Sequence, residues 1–292
     1  MTDEAVSERI TYLVACFNRE AYVADCLSSL QAQTDPRWLA IVLDDASTDG
    51  SADRIRPLLD DRIRLIVNET NTGYIAALER MIEEAGTDIV AILDVDDAIE
   101  PEATAMLLAA YARASGAEFV YSRFSTWDET MSRRTGEHGG PVPDGGTAIR
   151  DGPVGAIRSF RRSAYRRTSG LDATLPYAED RDLVYKLEEV TRPVLVDAAL
   201  YRYRRVPDSQ SVEPRKREIG AVNVRRARRA ALDRRGCLGL ERLAAELMIA
   251  SDYIAYSGKR PRPIRRVAAV LAGAAAAAWR RIGSPAAPAP RA

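Results

Sequence analysis

The first half of the chain alternates short apolar runs with segments whose apolar residues recur at helical spacing. The apolar runs predict buried strands, which are ITYLVAC (10–16), WLAIVLDD (38–45), IRLIVN (63–68), DIVAILDVDD (88–97) and AEFVYSRF (117–124). The segments between them predict helices over 20–33, 50–60, 73–86 and 101–116. Because strands and helices alternate at this pace, we expect an α/β fold with a doubly wound, mostly parallel sheet flanked by helices.

The second half is less regular. Between about Ser125 and Gly155 the sequence breaks into Gly, Pro and charged residues, which predicts a long irregular stretch that is functional or mobile. RPVLVDAALYRYRR (192–205) then predicts a pair of strands that ends the domain. We therefore expect one domain over residues 1–214 and a basic helical C-terminal extension, rich in Arg and Ala, over 215–292 with a disordered end.

Charge is distributed unevenly along the chain. Hydrophobic residues make up 46% and charged residues 29%, which is typical of a soluble globular protein with zero formal net charge. From Arg215 onward, however, the sequence contains 18 lysines and arginines but only five acidic residues. An acidic body with a basic tail predicts contact with something anionic, which is a membrane surface, nucleic acid or the body itself. Nucleic acid fits least, because the tail lacks interleaved aromatic residues and a docking motif.

Residues 259–283, KRPRPIRRVAAVLAGAAAAAWRRIG, place basic residues on both sides of an Ala-rich segment. The segment is too short to span a bilayer, and the alternatives are an anionic-lipid anchor in the interface or a helix packed on the domain or on a second subunit. The N-terminus lacks a signal-peptide pattern, and no run of about 18 apolar residues occurs. We expect a cytoplasmic protein, with any membrane contact peripheral and at the inner face.

The few cysteines and histidines restrict the chemistry. Cys16, Cys26 and Cys237 form no CxxC pair, which predicts a reducing compartment without a disulfide framework. His138 is the only histidine, so a zinc cluster is excluded, and Ser–His or Cys–His catalysis would depend on this one loop residue.

Three carboxylates follow the fourth predicted strand. Asp94, Asp96 and Asp97 repel one another, so the chain either loses stability there or holds a cation. Asp94 and Asp96 would point to the same side if the strand persists that far, and ligands of open α/β sheets bind beyond the carboxyl ends of strands. Oxygen ligands favour Mg²⁺ or Mn²⁺. The alternative is a solvated acidic turn that caps the helix beginning at Pro101.

A second acidic corner, VLDDASTDGS, ends the second predicted strand at the same sheet edge. A carboxylate of Asp44 or Asp45 can accept hydrogen bonds there from a base or a ribose. The alternative is that Asp49 or Ser51 merely caps the next helix.

Five segments in this order and spacing resemble the family 2 glycosyltransferases. They are VACFNREAYVADCLSSLQAQT, VLDDASTDGS, NETNTGYIAALERMI, LDVDD and AEDRDL, and the resemblance covers roughly residues 9–212. It implies an inverting enzyme of GT-A fold that uses a nucleotide-sugar donor, UDP- or dTDP-linked. The implied acceptor is a hydroxyl of a glycan, a lipid-linked glycan or a natural product.

The resemblance assigns donor contacts to the ends of the predicted strands. Phe17 stands where the family usually has Tyr, so it can stack on a base but cannot donate a hydroxyl; the alternative is a core aromatic. Gly73 would let the backbone approach the donor, or would merely open a helix. The full set of implied donor contacts comprises Ala15, Phe17, Glu20, Asp44, Asp45, Gly73, Asp94 and Val95.

The LDVDD segment resembles the family's DxD signature. By this resemblance Asp94 contacts the ribose and shares the metal, Asp96 ligates Mn²⁺ or Mg²⁺, and Asp97 assists or caps the next helix. A divalent cation would neutralise the departing nucleoside diphosphate as a Lewis acid.

The AEDRDL segment resembles the family's ED motif, which makes Asp180 the general base toward the acceptor hydroxyl. Partial burial beside Glu179 would usefully raise its pKa. The alternative is that both carboxylates stabilise a helix N-terminus, and we expect Asp182 on the helix surface. In the preceding segment, four arginines line an acceptor pocket or are solvated; these are Arg161, Arg162, Arg166 and Arg167.

One departure concerns the family's histidine after a YRY-like strand, which LYRYRRVPDSQSV lacks. Arg204, Arg205, Ser209 or Ser211 would contact the diphosphate instead, since Arg binds phosphate well but cannot ligate a cation.

Two alternatives to sugar transfer remain. One is a nucleotidyltransferase, although CFNREAY poorly matches a phosphate loop, and the other is a non-catalytic binding protein recruited by its basic tail.

Overall fold

The computed structural model describes residues 8–249 except 145, 152–153, 208, 210–211, 240–241, 244 and 248. The chain divides into two compact units. The first contains Met1–Pro141, Val154–Arg167 and Pro193–Val206, and the second contains Val142–Pro153, Thr168–Arg192 and Pro207–Ala292. The predicted α/β class is confirmed, whereas the predicted boundary at residue 214 stays a prediction.

The first unit holds one mixed sheet. Its described strands are β1 (Ile10–Cys16), β2 (Trp38–Asp44), β3 (Ile63–Val67), β4 (Ile89–Ile92), β5 (Ala98–Ile99), β6 (Phe119–Trp127), β7 (Arg134–His138), β8 (Arg158–Arg161) and β9 (Pro193–Arg204). The spatial order is β3-β2-β1-β4-β8-β6-β9-β5, and β7 pairs with β6. The first four strands of this order are parallel, β8 is antiparallel to both neighbours, and β6 and β9 are parallel.

Helices cover this sheet and build the second unit. In the first unit they are α1 (Val23–Gln31), α2 (Ser51–Ile55) with a 3₁₀ turn (Arg56–Leu58), α3 (Tyr74–Glu84), α4 (Ala103–Arg113) and α6 (Arg162–Tyr165). In the second unit they are α5 (Ala148–Asp151), α7 (Glu179–Val190) and α8 (Pro214–Arg234).

The central strands are apolar without interruption because both of their faces are covered. Tyr12 and Val14 of β1 enter one core cluster with Val23 and Leu27 of α1. The alternate residue Leu13 is equally buried, and α3 contacts β1. The near-continuous hydrophobic run in the sequence is therefore a consequence of two-sided burial.

Two predicted elements differ from the structure. The stretch after Ser125 is partly ordered, because β6 continues to Trp127 and forms a hairpin with β7. Asp128 stabilises the connecting turn by accepting hydrogen bonds from the backbone of Ser132 and Arg133, at 2.9 and 3.2 Å. The predicted strand pair over 192–205 is one long strand, β9, because β6 offers it a parallel partner along its length and β5 an antiparallel one.

The three cysteines are free and buried, in agreement with the predicted absence of disulfides. Burial raises the pKa of Cys16 to about 11, so its thiol is unreactive at neutral pH. Within the described ranges, no helix combines the length and apolar character needed to cross a membrane.

Candidate functional site

The loops that follow β1, β2 and β4 meet at one edge of the sheet. The three strands are parallel neighbours, and Cys16 is in register with Asp44. Side-chain contacts then join the loops, because Arg19 pairs with Asp96 and Tyr74 donates to Asp94. The structure thus brings together four of the segments that the sequence singled out.

The DxD segment is a turn and not the end of a strand. Strand β4 ends at Ile92, and the N–H of Asp97 donates to the carbonyl of Asp94 at 3.0 Å. The prediction that strand geometry persists to the aspartates is therefore wrong, because the chain reverses there to enter β5. Val95 packs its side chain into the core at 6% exposure, so only its backbone is available to a ligand.

Asp97 is a buried residue with a structural role. It is 1% exposed and accepts hydrogen bonds from the Tyr201 hydroxyl and the Arg204 N–H, both at 2.7 Å. Burial raises the pKa of Asp97, and the neighbouring charges of Asp96 and Asp94 raise it further. It does not cap α4, whose N-cap residue is Glu102.

Asp94 is held by two tyrosines. The Tyr74 hydroxyl donates to its Oδ1 at 2.8 Å, and the Tyr201 hydroxyl lies 3.3 Å from its Oδ2. The N–H of Asp94 also donates to the Tyr201 oxygen at 3.2 Å. Both carboxylate oxygens are therefore oriented before a ligand arrives, and each keeps acceptor capacity.

Asp96 faces Arg19, with 3.5 Å between the carboxylate Oδ2 and the guanidinium Nε. Burial and the adjacent Asp94 charge raise the pKa of Asp96 to about 6, although Arg19 and Arg204 oppose the rise. Arg19 and Arg204 therefore offset only part of the effect that burial and Asp94 have on this carboxylate.

Arg204 is 3% exposed and its guanidinium binds protein oxygens. It donates to the carbonyl of Asp96 at 2.7 Å, to the carbonyl of Glu129 at 2.8 Å and to the carboxylate of Asp25 at 2.7 Å. It also lies over the Tyr22 ring at 5.1 Å. The expectation that Arg204 contacts a diphosphate is wrong, because the fold uses this side chain to fix the DxD turn.

The other three residues proposed to contact the diphosphate in place of the missing histidine are Arg205, Ser209 and Ser211. Arg205 is exposed after β9, and its N–H donates to the carbonyl of Trp127. Ser209 is buried and belongs to the second unit. Ser211 lies outside the described residues.

The loop after β1 is fastened to the loop after β2. The Gly50 N–H donates to the Glu20 carboxylate at 3.2 Å, and the Glu20 N–H donates to Asp49 at 3.1 Å. Phe17 is 46% exposed, so the alternative of a core aromatic is wrong and its ring is accessible for stacking. Ala15 is half-buried at the end of β1. Base contacts by these residues stay predictions.

Asp44 and Asp45 are both buried, and Asp45 organises the segment before α3. Its carboxylate accepts from the N–H groups of Thr72 and Gly73, at 2.9 and 2.7 Å, and from the Asn68 amide at 2.7 Å. Burial raises the pKa of Asp45, but these hydrogen bonds outweigh burial and lower it below the usual value. Asp44 accepts from the Ser47 N–H at 2.9 Å.

Gly73 is the N-cap residue of α3 and has φ +87°, a left-handed conformation that favours glycine. A Cβ at this position would meet no atom within 4 Å, so the backbone conformation and not space requires glycine. Gly73 thus opens a helix, and its proposed approach to a donor stays a prediction.

The arginines of the 161–167 segment bind mainly to the protein itself. Arg161 pairs with Glu8 and Asp88, Arg162 donates to the carbonyls of Ala85 and Glu83, and Arg167 pairs with Glu118. Arg166 is exposed. Three of the four arginines therefore stabilise the first unit.

Asp180 lies in the first turn of α7, in the second unit. It is half-buried, and its Oδ1 accepts from the Arg181 N–H at 2.6 Å, whereas Glu179 is 5% exposed. The first turn also contains Asp182, so the acidic residues suit the positive end of the helix dipole as well.

Asp182 is buried, contrary to the predicted surface position. It is 1% exposed and forms an ion pair with Lys186, whose Nζ lies 2.6 Å from its Oδ2. Arg234 of α8 lies 3.8 Å from its other oxygen. Asp182 therefore joins α7 to α8, because helical spacing puts it on the same face as the buried Tyr185 and Lys186.

Comparison with known sequences identifies the family. Residues 11–169, more than half of the chain, match the sequence profile described as Glycosyl transferase family 2. The chain belongs to glycosyl transferase family 2.

Three relatives of this glycosyltransferase come from Bacillus subtilis and Staphylococcus aureus. It is 29% identical over 209 residues to EpsE of Bacillus subtilis strain 168, covering 69% of the chain and 74% of EpsE. It is 28% identical over 212 residues to EpsH of the same strain, covering 67% of the chain and 60% of EpsH. Both relatives are named as glycosyltransferases. A Staphylococcus aureus poly-β-1,6-N-acetyl-D-glucosamine synthase is 31% identical over 97 residues, 33% of the chain and 24% of the synthase.

Solved structures with a similar fold are also glycosyltransferases. S. aureus TarS residues 1–349 in complex with UDP aligns with a TM-score of 0.55 at 18% identity, over 94% of this chain and 90% of that chain. The mannosyltransferase PcManGT of Pyrobaculum calidifontis, in complex with GDP-Man and Mn²⁺, aligns with a TM-score of 0.54 at 17% identity, over 96% and 86%. At these identities the likeness concerns the fold, and it confirms the GT-A fold of this glycosyltransferase.

The acidic residues of this glycosyltransferase form a small set of potential metal ligands. In the part of the chain that the structure describes, no three His, Cys, Asp or Glu side chains are grouped to hold a metal ion. Asp96 and Asp94 each offer one carboxylate. Mg²⁺ commonly takes one or two carboxylates together with phosphate oxygens. These two carboxylates suit a divalent cation only if it takes its remaining ligands from elsewhere.

Three residues of the site lacked a distinguishing signal in the sequence. Arg19 and Tyr74 sit inside recognised motifs, but only the folded chain brings them to Asp96 and Asp94. Tyr201 lies more than 100 residues from the DxD turn that it supports. Their roles depend on contacts between segments distant in sequence.

Proposed function

We propose that this glycosyltransferase transfers a sugar, with inversion, from a UDP- or dTDP-linked donor to an acceptor hydroxyl. The donor would bind at the edge formed by the loops after β1, β2 and β4. Asp96 and Asp94 would hold Mn²⁺ or Mg²⁺ on the diphosphate, and Asp180 would be the general base. The acceptor would be a glycan, a lipid-linked glycan or a natural product.

The observation that carries this proposal is the meeting of the loops after β1, β2 and β4 at one sheet edge, where Arg19 pairs with Asp96 and Tyr74 donates to Asp94. Arg204 and Tyr201 hold the turn that contains both aspartates in place. When bound, the cation would supply a Lewis acid that neutralises the departing diphosphate. The UDP complex of TarS and the GDP-Man and Mn²⁺ complex of PcManGT support a nucleotide-sugar donor and a divalent cation.

Side chains of the protein would bind the donor and activate the acceptor hydroxyl. Phe17, 46% exposed, offers its ring to the base. Asp94, oriented by two tyrosines, offers acceptor oxygens to the ribose and the cation. Asp180 would remove the proton from the acceptor hydroxyl as this oxygen attacks the anomeric carbon opposite the leaving group.

The test of the base is Asp180→Asn. The amide cannot accept the proton, so we expect turnover to fall by about 10²- to 10⁴-fold with donor affinity unchanged. Turnover would be followed as release of nucleoside diphosphate, with donor affinity measured by calorimetry. The control is Asp197→Asn, because Asp197 is 71% exposed on β9. Unchanged turnover in Asp180→Asn would refute the assignment of the base.

The donor and cation are tested by thermal shift with nucleoside diphosphates, with and without Mn²⁺. We expect UDP or dTDP to stabilise the protein, and to do so more strongly when Mn²⁺ is present. The additional effect of Mn²⁺ should disappear in Asp96→Asn and persist in Asp197→Asn. Equal stabilisation by the nucleotide with and without Mn²⁺ would contradict metal assistance.

A further inference from the structure

The side chain of Arg19 lies beside the carboxylate of Asp96, which the proposed function assigns to the cation. Its Nε lies 3.5 Å from Oδ2 of Asp96, and the two side chains are 22% and 19% exposed. Partial burial strengthens such a pair relative to a solvated one, because water and salt screen it less.

The loop holds Arg19 in this position through its backbone. The Arg19 N–H donates to the Ser51 hydroxyl at 2.9 Å, and the Asn18 N–H donates to the Ser47 hydroxyl at 3.0 Å. The Asn18 amide oxygen in turn accepts from the Thr48 N–H at 2.8 Å. These contacts do not involve the guanidinium, so a substitution of the Arg19 side chain leaves them in place.

Arg204 does not play the same part. It reaches the backbone carbonyl of Asp96, and its other donors bind Glu129 and Asp25. Arg19 reaches the carboxylate itself. Arg19 also lines a cavity of about 380 Å³ together with Asn18, Tyr22, Asp49 and Arg54, and its guanidinium Nη1 donates to the Asn18 carbonyl at 3.2 Å.

We propose that Arg19 is the counter-ion of Asp96 when no donor is bound, and that a divalent cation must displace it from this carboxylate. The inference rests on the proposed function, because it concerns the same cation site. A diphosphate offers the displaced guanidinium a new anion, since Arg binds phosphate oxygens well. The cation consequently binds weakly to the free protein and tightly together with the donor.

The experiment measures the affinity for Mn²⁺ alone by electron paramagnetic resonance of free Mn²⁺, on the full chain without nucleotide. Arg19→Ala removes the competitor, so we expect Mn²⁺ to bind about three- to tenfold more tightly than to the wild type. Arg19→Lys keeps a positive charge at this position and should retain the weak affinity. Circular dichroism and thermal unfolding establish that each variant is folded.

Two controls isolate the pair. Arg54→Ala removes a positive charge from the same cavity but not from Asp96, and should change Mn²⁺ affinity by less than about twofold. Adding Asp96→Asn to Arg19→Ala should abolish the gain. Mn²⁺ affinity that Arg19→Ala leaves unchanged or lowers would overturn the inference. A gain in Mn²⁺ affinity combined with no sugar transfer by the wild type would support the inference and refute the proposed function.

Discussion

At the scale of single residues, surroundings and not residue type decide what each aspartate does. Asp45 and Asp97 are buried and accept several hydrogen bonds, so they hold loops in place. Asp94 is oriented by two hydroxyls, and Asp96 faces a guanidinium. A carboxylate surrounded by backbone N–H groups is a structural anchor, whereas one with partial compensation can bind a cation.

Asp45→Asn tests the anchoring role through pH. The pKa of Asp45 is lowered in the folded protein, so its stabilisation is complete above its unfolded pKa of about 3.9 and is lost as pH falls through the folded pKa. We expect the variant to be about 1–3 kcal/mol less stable than the wild type at pH 7, and the difference to shrink towards pH 3. Urea unfolding at both pH values measures it.

The control for this experiment is Asp53→Asn, because the Asp53 side chain is 91% exposed on α2. We expect that variant to match the wild type at both pH values. An Asp45→Asn penalty of the same size at pH 7 and pH 3 would contradict the charge-based explanation.

At the scale of elements, buried charges join α7 to its neighbours in the second unit. The Asp182–Lys186 pair is 2% and 6% exposed, and Lys186 also donates to the Gly170 carbonyl at 2.7 Å. Arg235, the C-cap residue of α8, pairs with Glu188 at 2.9 Å. These pairs fix the helix that presents Asp180, although their net contribution to stability is limited by desolvation.

Lys186→Met should destabilise the protein by about 3–5 kcal/mol, because it leaves the carboxylate of Asp182 buried beside an apolar side chain. The double variant Asp182→Leu/Lys186→Met should recover at least half of the loss, since it removes both charges. Chemical denaturation measures both, and Lys216→Met, a half-buried lysine on α8, is the matched control. A loss below about 1 kcal/mol in Lys186→Met would refute the buried-pair argument.

At the scale of the whole molecule, part of the basic segment finds its anionic partner within the chain. Arg234 pairs with Glu189 and Arg235 with Glu188, so α8 compensates the acidic α7. Of the three anionic partners that the sequence left open, the body itself is therefore observed for α8. The membrane hypothesis rests on residues 259–283, which lie outside the described residues.

Vesicle binding tests that hypothesis. Each Arg near an anionic surface contributes about 1 kcal/mol, so Arg265→Gln/Arg266→Gln should lower co-sedimentation with phosphatidylserine vesicles by about tenfold or more. The matched control is Arg215→Gln/Arg217→Gln, two exposed arginines at the start of α8, which should bind as the wild type does. Equal vesicle binding by the two double variants would refute a lipid anchor at 259–283.

Elements with strong periodicity were predictable from the sequence. Strands β1, β2 and β3 and helices α1, α3 and α4 lie where the apolar pattern put them, because burial on both faces of the sheet leaves a continuous hydrophobic run. The edge region was not predictable. Strand β9 and the β6–β7 hairpin depend on pairing partners far along the chain, and exposed strands carry a weak apolar signal.

The sequence by itself determined the fold class, the family motifs and the edge at which the acidic loops meet, because alternating strands and helices make the strands parallel and bring their carboxyl ends to one edge. Only the tertiary structure decided which aspartate is an anchor and which faces a guanidinium. Burial, hydrogen bonds from Tyr201 and Thr72 and the ion pair with Arg19 make that distinction, and each partner comes from a distant segment. Identical Asp side chains cannot reveal these surroundings before the chain folds.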